Sequence, residues 1–300
     1  MIKIVATSIF LLTVYSLSGQ VKADTLKFLF LGHTYDWANS AGNTVDPRVE
    51  MIDKSVYDGF WLGGDICANT TLDPKTMVYL DGLFQLKNPY THFVLGNHDV
   101  RDNNLDFYFQ STGRADYYTS THHNMVLSVL NTNLNSSDCE NLNAQYRMLE
   151  SVIDTIQDAS HYVLLMHHQI FTDISGLENF KSNGVCQYYA MNCDSSQSYF
   201  STTIYPKLVQ LEQKGIDIII VVGDTGWDKG AEDMSADGIS FLASGINNSY
   251  YKTKALDQLP NVKRDKLLEF QLIPKERTLT WTFRELNGMI DLSLKGWMEN

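Results

Sequence analysis

The feature that most constrains this chain is a repeated pattern in which a short apolar segment stops at a polar residue and a helical segment follows. The apolar segments cover residues 26–31, 58–62, 91–95, 162–166 and 216–222. Uninterrupted apolar runs of this length predict buried strands, and helices between them predict crossover connections. We therefore expect an α/β (α+β) fold. Further strands are predicted near 239–243, 267–273 and 278–284, and no repeat or Pro-rich linker divides the chain, which favours one domain.

Between the apolar segments, hydrophobic residues recur at helical spacing. Residues 142–156 place their apolar side chains on one face, and helices are also predicted from Pro74 to Leu86 and from Pro206 to Lys214. Residues 116–131 alternate as a hairpin does, with His122 and His123 near the turn, where we expect both to face solvent.

Composition narrows the class of partner. The formal net charge is -12 and the pI is about 5.0. A protein that binds the nucleic acid backbone needs clustered Lys and Arg to displace counterions, so nucleic acid is an unfavourable partner. A small anionic substrate bound through a metal ion remains compatible with this charge.

The first residues resemble an export signal. Lys3 precedes an apolar run from Ile4 to Tyr15, and Val21-Lys22-Ala23 places small residues at the usual cleavage spacing. We therefore predict a cleaved signal peptide over residues 1–23, a mature domain over 24–300 and a secreted or periplasmic location. An uncleaved anchor is the alternative, and no segment after it approaches the length of a membrane span.

Export affects the interpretation of the four cysteines, which allow three pairings in an oxidising compartment. Cys186 and Cys193 flank a short Tyr-rich loop and are expected to close it, which would leave Cys67 to pair with Cys139. None of the spacings resembles the close pairs of a structural zinc site.

Each of the five apolar segments ends at a side chain that can bind a metal ion. In open α/β sheets, ligands bind at the carboxyl ends of the strands, so these side chains are expected to meet at one rim. Imidazole, carboxylate and amide ligands without a thiolate suit Mn, Fe, Zn or Mg. A cap or turn role explains any one residue more easily than all five. The candidate metal ligands are His33, Asp65, Asn97, His167 and Asp224.

Three of these segment ends resemble sequence blocks of the calcineurin-like metallophosphoesterase family: Gly63-Gly64-Asp65, Gly96-Asn97-His98-Asp99 and Met166-His167-His168. The resemblance covers nearly the whole chain after residue 23. It implies two mixed β-sheets sandwiched between helices, the four-layer metallophosphoesterase-type fold, with a two-metal centre at the strand ends. It also implies that Asp65 bridges two metals, that Asn97 and His167 hold one of them, and that His98 meets the phosphoryl group or leaving oxygen, oriented by Asp99.

Two blocks depart from the family pattern. Where the family has Asp-x-His the chain has His33-Thr34-Tyr35, and where it has Gly-His-x-His the chain has Gly223-Asp224-Thr225-Gly226. One metal site then keeps Asp65, Asn97, His167 and Asp224. The other keeps Asp65 and His33, while Tyr35 and Gly226 stand at two usual imidazole positions. Either one or two metal ions are compatible with this set.

The resemblance implies a metal-dependent phosphoric ester hydrolase that acts on a small phosphorylated substrate, a phosphomonoester or phosphodiester, through a metal-activated water. The alternative is an exported binding protein, or a degenerate enzyme, of the same fold that retains one metal site. Aromatic and polar residues near the proposed ligands are candidates to line the substrate site, although the aromatic loop around residues 171–200 packing on itself is an equal alternative. The candidate lining residues are Tyr35, His168, Tyr188, Tyr189 and Trp227.

Overall fold

Two mixed β-sheets with helices packed against them form the framework of the described chain. The computed structural model describes residues 25–36, 41–71, 73–101, 105–180, 189–225, 230–246 and 265–290, so the predicted signal peptide lies outside the described residues. In chain order the strands are β1 (Leu26–Leu31), β2 (Tyr35–Asp36), β3 (Ala41–Val45), β4 (Gly59–Leu62), β5 (His92–Phe93), β6 (Tyr118–His122), β7 (Met125–Val129), β8 (His161–Met166), β9 (Asp217–Val222), β10 (Ala231–Met234), β11 (Ser240–Ala243), β12 (Lys266–Ile273) and β13 (Thr278–Glu285).

The helices are shorter in total than the strands and lie between them in sequence. They are α1 (Pro47–Glu50), α2 (Pro74–Phe84), α3 (Asp106–Thr112), α4 (Cys139–Thr155), α5 (Phe200–Thr203) and α6 (Tyr205–Gln213). Asp73 caps α2 by accepting a hydrogen bond from the backbone N–H of Lys75, and Asp138 caps α4 in the same way from Asn141. The predicted mixed α/β class is therefore confirmed, as are the helices at 74–86, 142–156 and 206–214 to within a few residues at their ends.

Each sheet combines parallel and antiparallel pairs. The first has the order β13-β12-β1-β4-β5, and its parallel members are β1, β4 and β5. The second has the order β10-β11-β9-β8-β7-β6, and β7, β8, β9 and β11 run parallel. The short antiparallel pair β2–β3 and the edge strand β10 were not predicted, because neither contains an apolar run.

The strands direct alternate side chains to different hydrophobic cores. In β8, Val163 and Leu165 face a core shared with the first sheet, whereas Tyr162 and Leu164 pack with α4 and α6. The first sheet packs on its other face against α1, α2 and α3. Because both faces of these strands are buried, their sequences are continuous apolar runs with no polar alternation.

The disulfide differs from the predicted pairing. Cys139 is bonded to Cys193, with their Cα atoms 5.6 Å apart, and Cys67 is a buried free thiol. Cys186 lies outside the described residues. The predicted Cys186–Cys193 and Cys67–Cys139 bonds are therefore wrong. The backbone N–H of Cys193 donates to Asn143 Oδ1 at 2.8 Å, so this segment lies against the first turns of α4, where Cys139 is located.

Among the residues that the structure describes, no helix combines the length and the apolar character needed to cross a membrane.

Candidate metal centre

The carboxyl ends of parallel strands from both sheets meet at one edge of the molecule. Gly63 follows β4 and Gly223 follows β9, and their backbones are in direct contact: a Cβ atom added to Gly223 would lie 1.8 Å from the carbonyl oxygen of Gly63. Only glycine permits this approach. It brings the residues after β4 beside those after β8 and β9, as the sequence pattern predicted for strand ends.

Asp65 lies at the centre of this edge. Its Oδ2 atom is 3.5 Å from Nε2 of His33, 3.5 Å from Nε2 of His167 and 3.9 Å from Nε2 of His98. Its Oδ1 atom accepts a hydrogen bond of 2.8 Å from the backbone N–H of His98. Burial opposes ionisation of the carboxyl, but the facing His167, with His33 and His98, holds the pKa of Asp65 well below its usual range. One carboxylate oxygen is thus surrounded by three imidazoles.

His167 presents one nitrogen to the site. Its Nδ1 atom is 2.8 Å from the carbonyl oxygen of Gly63, which can only accept, so Nδ1 carries the proton. The ring is fully buried, and Nε2 makes no hydrogen bond within the described residues. Burial lowers the pKa of His167, but Asp65 and then Asp224 raise it to about 9. Below this pKa the metal-free ring is protonated on both nitrogens and pairs with Asp65, so a metal ion bound at Nε2 would take the place of that proton.

A second set of donors adjoins His167. One ligand atom from each of His167, His168 and Asp224 lies within 4.8 Å of the others. His168 Nε2 is 3.2 Å from Oδ1 of Asn97. Three predicted metal ligands, His167, Asp224 and Asn97, are therefore close together. His168, which was predicted to line the substrate site, contributes a donor atom to the same cluster.

Asp99 holds the loop around Asp65. Within the described residues, its carboxylate accepts hydrogen bonds from the backbone around Asp65, from Gly96 and from the Thr70 hydroxyl. None of these bonds is made with the His98 ring, so the predicted role of Asp99 in orienting that ring is wrong. Burial and the Asp65 charge raise the pKa of Asp99 to about 7. The donors are the N–H groups of Asp65 at 2.7 Å, Gly96 at 2.8 Å and Ile66 at 3.3 Å, and the Thr70 hydroxyl.

His98 contacts Arg101 and Tyr35. Its Nδ1 atom is hydrogen-bonded to the Arg101 guanidinium, and its ring stacks on Tyr35 with centroids 5.0 Å apart. Because a guanidinium only donates, Nδ1 accepts and neutral His98 carries its proton on Nε2, the atom that faces Asp65. Burial lowers the pKa of His98, and Arg101 lowers it further, although Asp65 opposes both. Tyr35, which was proposed as a lining residue, lies beside this ring and that of His33.

Of the remaining predicted lining residues, the structure describes Tyr189. Tyr188 and Trp227 lie outside the described residues. Tyr189 is 9% exposed and packs in the core between the second sheet and α4, with its hydroxyl 3.4 Å from the carbonyl oxygen of Asn131.

The structure contains a second histidine cluster that was not predicted from the sequence. His92 Nε2 is 2.8 Å from His122 Nε2, and His92 Nδ1 is 3.0 Å from the Tyr118 hydroxyl. His122 is 6% exposed, so the prediction that it faces solvent is wrong, whereas His123 is exposed. The alternation of β6 contained a signal, since Tyr118, Ser120 and His122 share one face. Its partner, His92, lies on β5 at the edge of the first sheet, and sequence spacing could not identify this contact between the two sheets.

Comparison with protein-family models finds no match, and comparison with curated proteins finds none either. Among solved structures, the chain is similar to one described as GAP50, the anchor in the inner membrane complex of Plasmodium. The two share 13% sequence identity with a TM-score of 0.49, over 87% of this chain and 85% of that one. Similarity at this level does not determine a function.

Proposed function

We propose that this protein is a metal-dependent phosphoesterase whose centre lies around Asp65 and His167. The observation that carries the proposal is the fully buried Nε2 atom of His167, which makes no hydrogen bond within the described residues and lies 3.5 Å from Asp65 Oδ2. The charge pair with Asp65 at 3.5 Å only partly satisfies this atom, and a buried polar atom without a hydrogen bond is destabilising unless something else satisfies it. A metal ion bound by both groups would satisfy the nitrogen and neutralise the carboxylate.

The donor set fits such an ion. Separations of 3.5 Å between Asp65 Oδ2 and two imidazole nitrogens are close to those between neighbouring ligands of a tetrahedral metal with bonds of about 2.0–2.2 Å. His167 Nδ1 is held by the Gly63 carbonyl, which is the outer hydrogen bond that metal-binding histidines usually make. The residues that would hold a metal are His167, His168 and Asp224, whose ligand atoms lie within 4.8 Å of one another. Asn97 adjoins His168, and Asp65 lies 3.5 Å from both His167 and His33.

A metal ion bound here would polarise a phosphoryl oxygen and lower the pKa of a bound water towards neutrality. The chain itself supplies orientation. Arg101 fixes the tautomer of His98 so that its Nε2–H points to the Asp65 side of the centre, where it would donate to a phosphoryl or leaving oxygen. Asp99 fixes the backbone that carries Asp65, and so acts through the loop.

The finer fold and the location belong to the same proposal. We assign the two mixed sheets and their helices to the four-layer metallophosphoesterase type, with a single domain from residue 24 to residue 300. The Gly-Asp, Gly-Asn-His-Asp and Met-His-His blocks support the assignment. Export after cleavage at residue 23 is supported by the Cys139–Cys193 disulfide, because such bonds persist in oxidising compartments.

Metal analysis followed by turnover tests the function. Protein purified without added metal is expected to contain at least one tightly bound Mn, Fe, Zn or Mg. It should hydrolyse p-nitrophenyl phosphate or bis-p-nitrophenyl phosphate in a reaction that a chelator abolishes and metal restores. His98→Ala should lose about 10²–10⁴-fold in kcat with its metal content unchanged. Protein with less than one metal per chain and no chelator-sensitive turnover would contradict the proposal.

A binding protein or degenerate enzyme that retains one metal site is the second candidate. It is favoured by the uneven distribution of donors, since the metal-spaced triad found in the described residues lies wholly on the second-sheet side of Asp65. On the first-sheet side, His33 is accompanied by Tyr35, whose pKa burial and the Asp65 charge raise far above the range in which a phenolate forms readily. Tight metal binding without turnover in either wild type or His98→Ala would favour this candidate.

A further inference from the structure

A short polar turn follows β7 and lies against two of the proposed metal ligands. Its middle residue, Thr132, is 4% exposed. The Thr132 hydroxyl oxygen is 2.8 Å from Nδ1 of His168, and it accepts a hydrogen bond of 3.1 Å from the backbone N–H of His168. One side chain therefore contacts both the ring and the backbone of the same ligand.

The turn is held on both sides. The backbone N–H of Asn131 donates to Gln145 Oε1 at 2.7 Å, and its side-chain amide donates to Asp116 Oδ2 at 2.7 Å. The side-chain amide of Asn133 donates to the carbonyl oxygen of Leu95 at 2.9 Å, two residues before Asn97. These bonds link the turn to α4 and to the segment that carries Asn97, so Thr132 has little freedom to move away from His168.

We propose that Thr132 is a positioning residue that selects which nitrogen of His168 is free to bind a metal ion. This inference rests on the proposed metal centre, and it adds a residue that neither the sequence blocks nor the ligand cluster includes. A hydroxyl can both donate and accept, and the contacts of His168 allow two proton arrangements.

In one arrangement Thr132 donates its proton to Nδ1, and the Nε2–H of His168 donates to Asn97 Oδ1 across their 3.2 Å separation. Neither Nε2 nor this amide oxygen is then a free ligand atom. In the other arrangement Nδ1–H donates to the Thr132 oxygen, and Nε2 carries the lone pair. Both Nε2 and Asn97 Oδ1 become available together, so a single hydroxyl links two ligands of the same centre.

The consequence is a specific requirement for an acceptor at position 132. A hydrogen bond from the outer ring nitrogen orients a ligating histidine and increases its basicity, and loss of such a partner typically weakens metal binding about 10–100-fold. Thr132→Val keeps the shape of the side chain and removes the acceptor. Thr132→Ser keeps the hydroxyl.

Zn²⁺ affinity, measured by competition with a chromophoric chelator, tests the requirement. Thr132→Val is expected to weaken Zn²⁺ binding by about 10–100-fold, and Thr132→Ser by less than about threefold. Thr112→Val is the matched control. Thr112 is also 4% exposed and its hydroxyl is hydrogen-bonded, to the carbonyl oxygen of Tyr108 in α3, so this variant should bind Zn²⁺ as wild type does.

A second measurement does not depend on a folded variant. In wild-type protein with ¹⁵N-labelled histidine, addition of Zn²⁺ should place the His168 proton on Nδ1 and the metal on Nε2.

A double-mutant cycle gives a third measurement: Thr132→Val should have no further effect on Zn²⁺ affinity once His168 is Ala. If Thr132→Val binds Zn²⁺ as tightly as wild type, or Zn²⁺ leaves the proton on Nε2, the inference is refuted while the metal centre stands.

The two proposals fail differently. Wild type without Zn²⁺ affinity refutes both the metal centre and the role of Thr132. Wild type that binds Zn²⁺ tightly, loses affinity in Thr132→Val and hydrolyses no phosphate ester supports the role of Thr132 and contradicts only the proposed catalysis.

Discussion

The buried histidine pair at the seam between the two sheets should make the protein unstable in mild acid. Burial lowers the pKa of His122 to about 4 from its ordinary value of 6.5, and burial together with His122 lowers the pKa of His92 well below that value. Between these values the unfolded chain binds more protons than the folded one, so stability is full above pH 6.5 and falls as the pH falls towards 4. At about 1.4 kcal/mol per pH unit, His122 alone accounts for a loss of about 2 kcal/mol between pH 6.5 and 5.

Urea unfolding at pH 7 and pH 5, in the presence of a chelator, measures this loss. We expect wild type to lose about 2 kcal/mol more of its free energy of unfolding than His122→Gln over this interval. Buried histidines that do not contact His122 contribute equally to both proteins, so the difference reports on His122 together with its partner His92. The control is His123→Asn, because His123 is the exposed neighbour on the same turn and has a positive φ that Asn tolerates. If wild type and His122→Gln lose the same free energy of unfolding between pH 7 and pH 5, the reasoning is refuted.

Three further changes test other parts of the structure. Cys139→Ser should lower the free energy of unfolding by about 4 kcal/mol, because the bond to Cys193 closes a loop of 54 residues; reductant should destabilise wild type equally and leave the variant unchanged. Asp99→Asn should cost about 3 kcal/mol in urea unfolding, because its amide faces backbone donors; wild-type stability would contradict the assigned role. Gly96→Ala places a Cβ 2.2 Å from Asp65 Oδ1 and should weaken Zn²⁺ binding about tenfold; unchanged affinity would show that the loop adapts.

The strand ends were predictable because the pattern that sets them is local. The last residue of an apolar run can be read directly from the sequence, and the residue that follows it lies at the edge of the sheet. Parallel strands bring their carboxyl ends to the same edge, so these following residues lie close together. His33, Asp65 and His167 follow this rule. The Nε2 atoms of the two histidines each lie 3.5 Å from Oδ2 of Asp65.

The errors concern contacts made across the fold. The pairing of Cys139 with Cys193 depends on where residues 192 and 193 rest on α4, and sequence spacing contains no record of that. His122 is buried because the edge strand of the other sheet presents His92 to it. The role of Asp99 depends on the direction of backbone N–H groups in the loop, which follows from dihedral angles and not from residue type.

Backbone strain connects these observations at the centre. His33 and Asp65 both have left-handed φ values, 54° and 52°, although neither is glycine, and such conformations cost about 1–3 kcal/mol each. The N–H of His33 donates to the Gly64 carbonyl at 2.9 Å, and the N–H of Asp65 donates to the Asp99 carboxylate. The hydrogen bonds thus hold both residues in shapes that the backbone alone disfavours. These shapes place His33 Nε2 3.5 Å from Asp65 Oδ2. The loops are therefore held in the arrangement that the proposed metal centre requires, before any ion is bound.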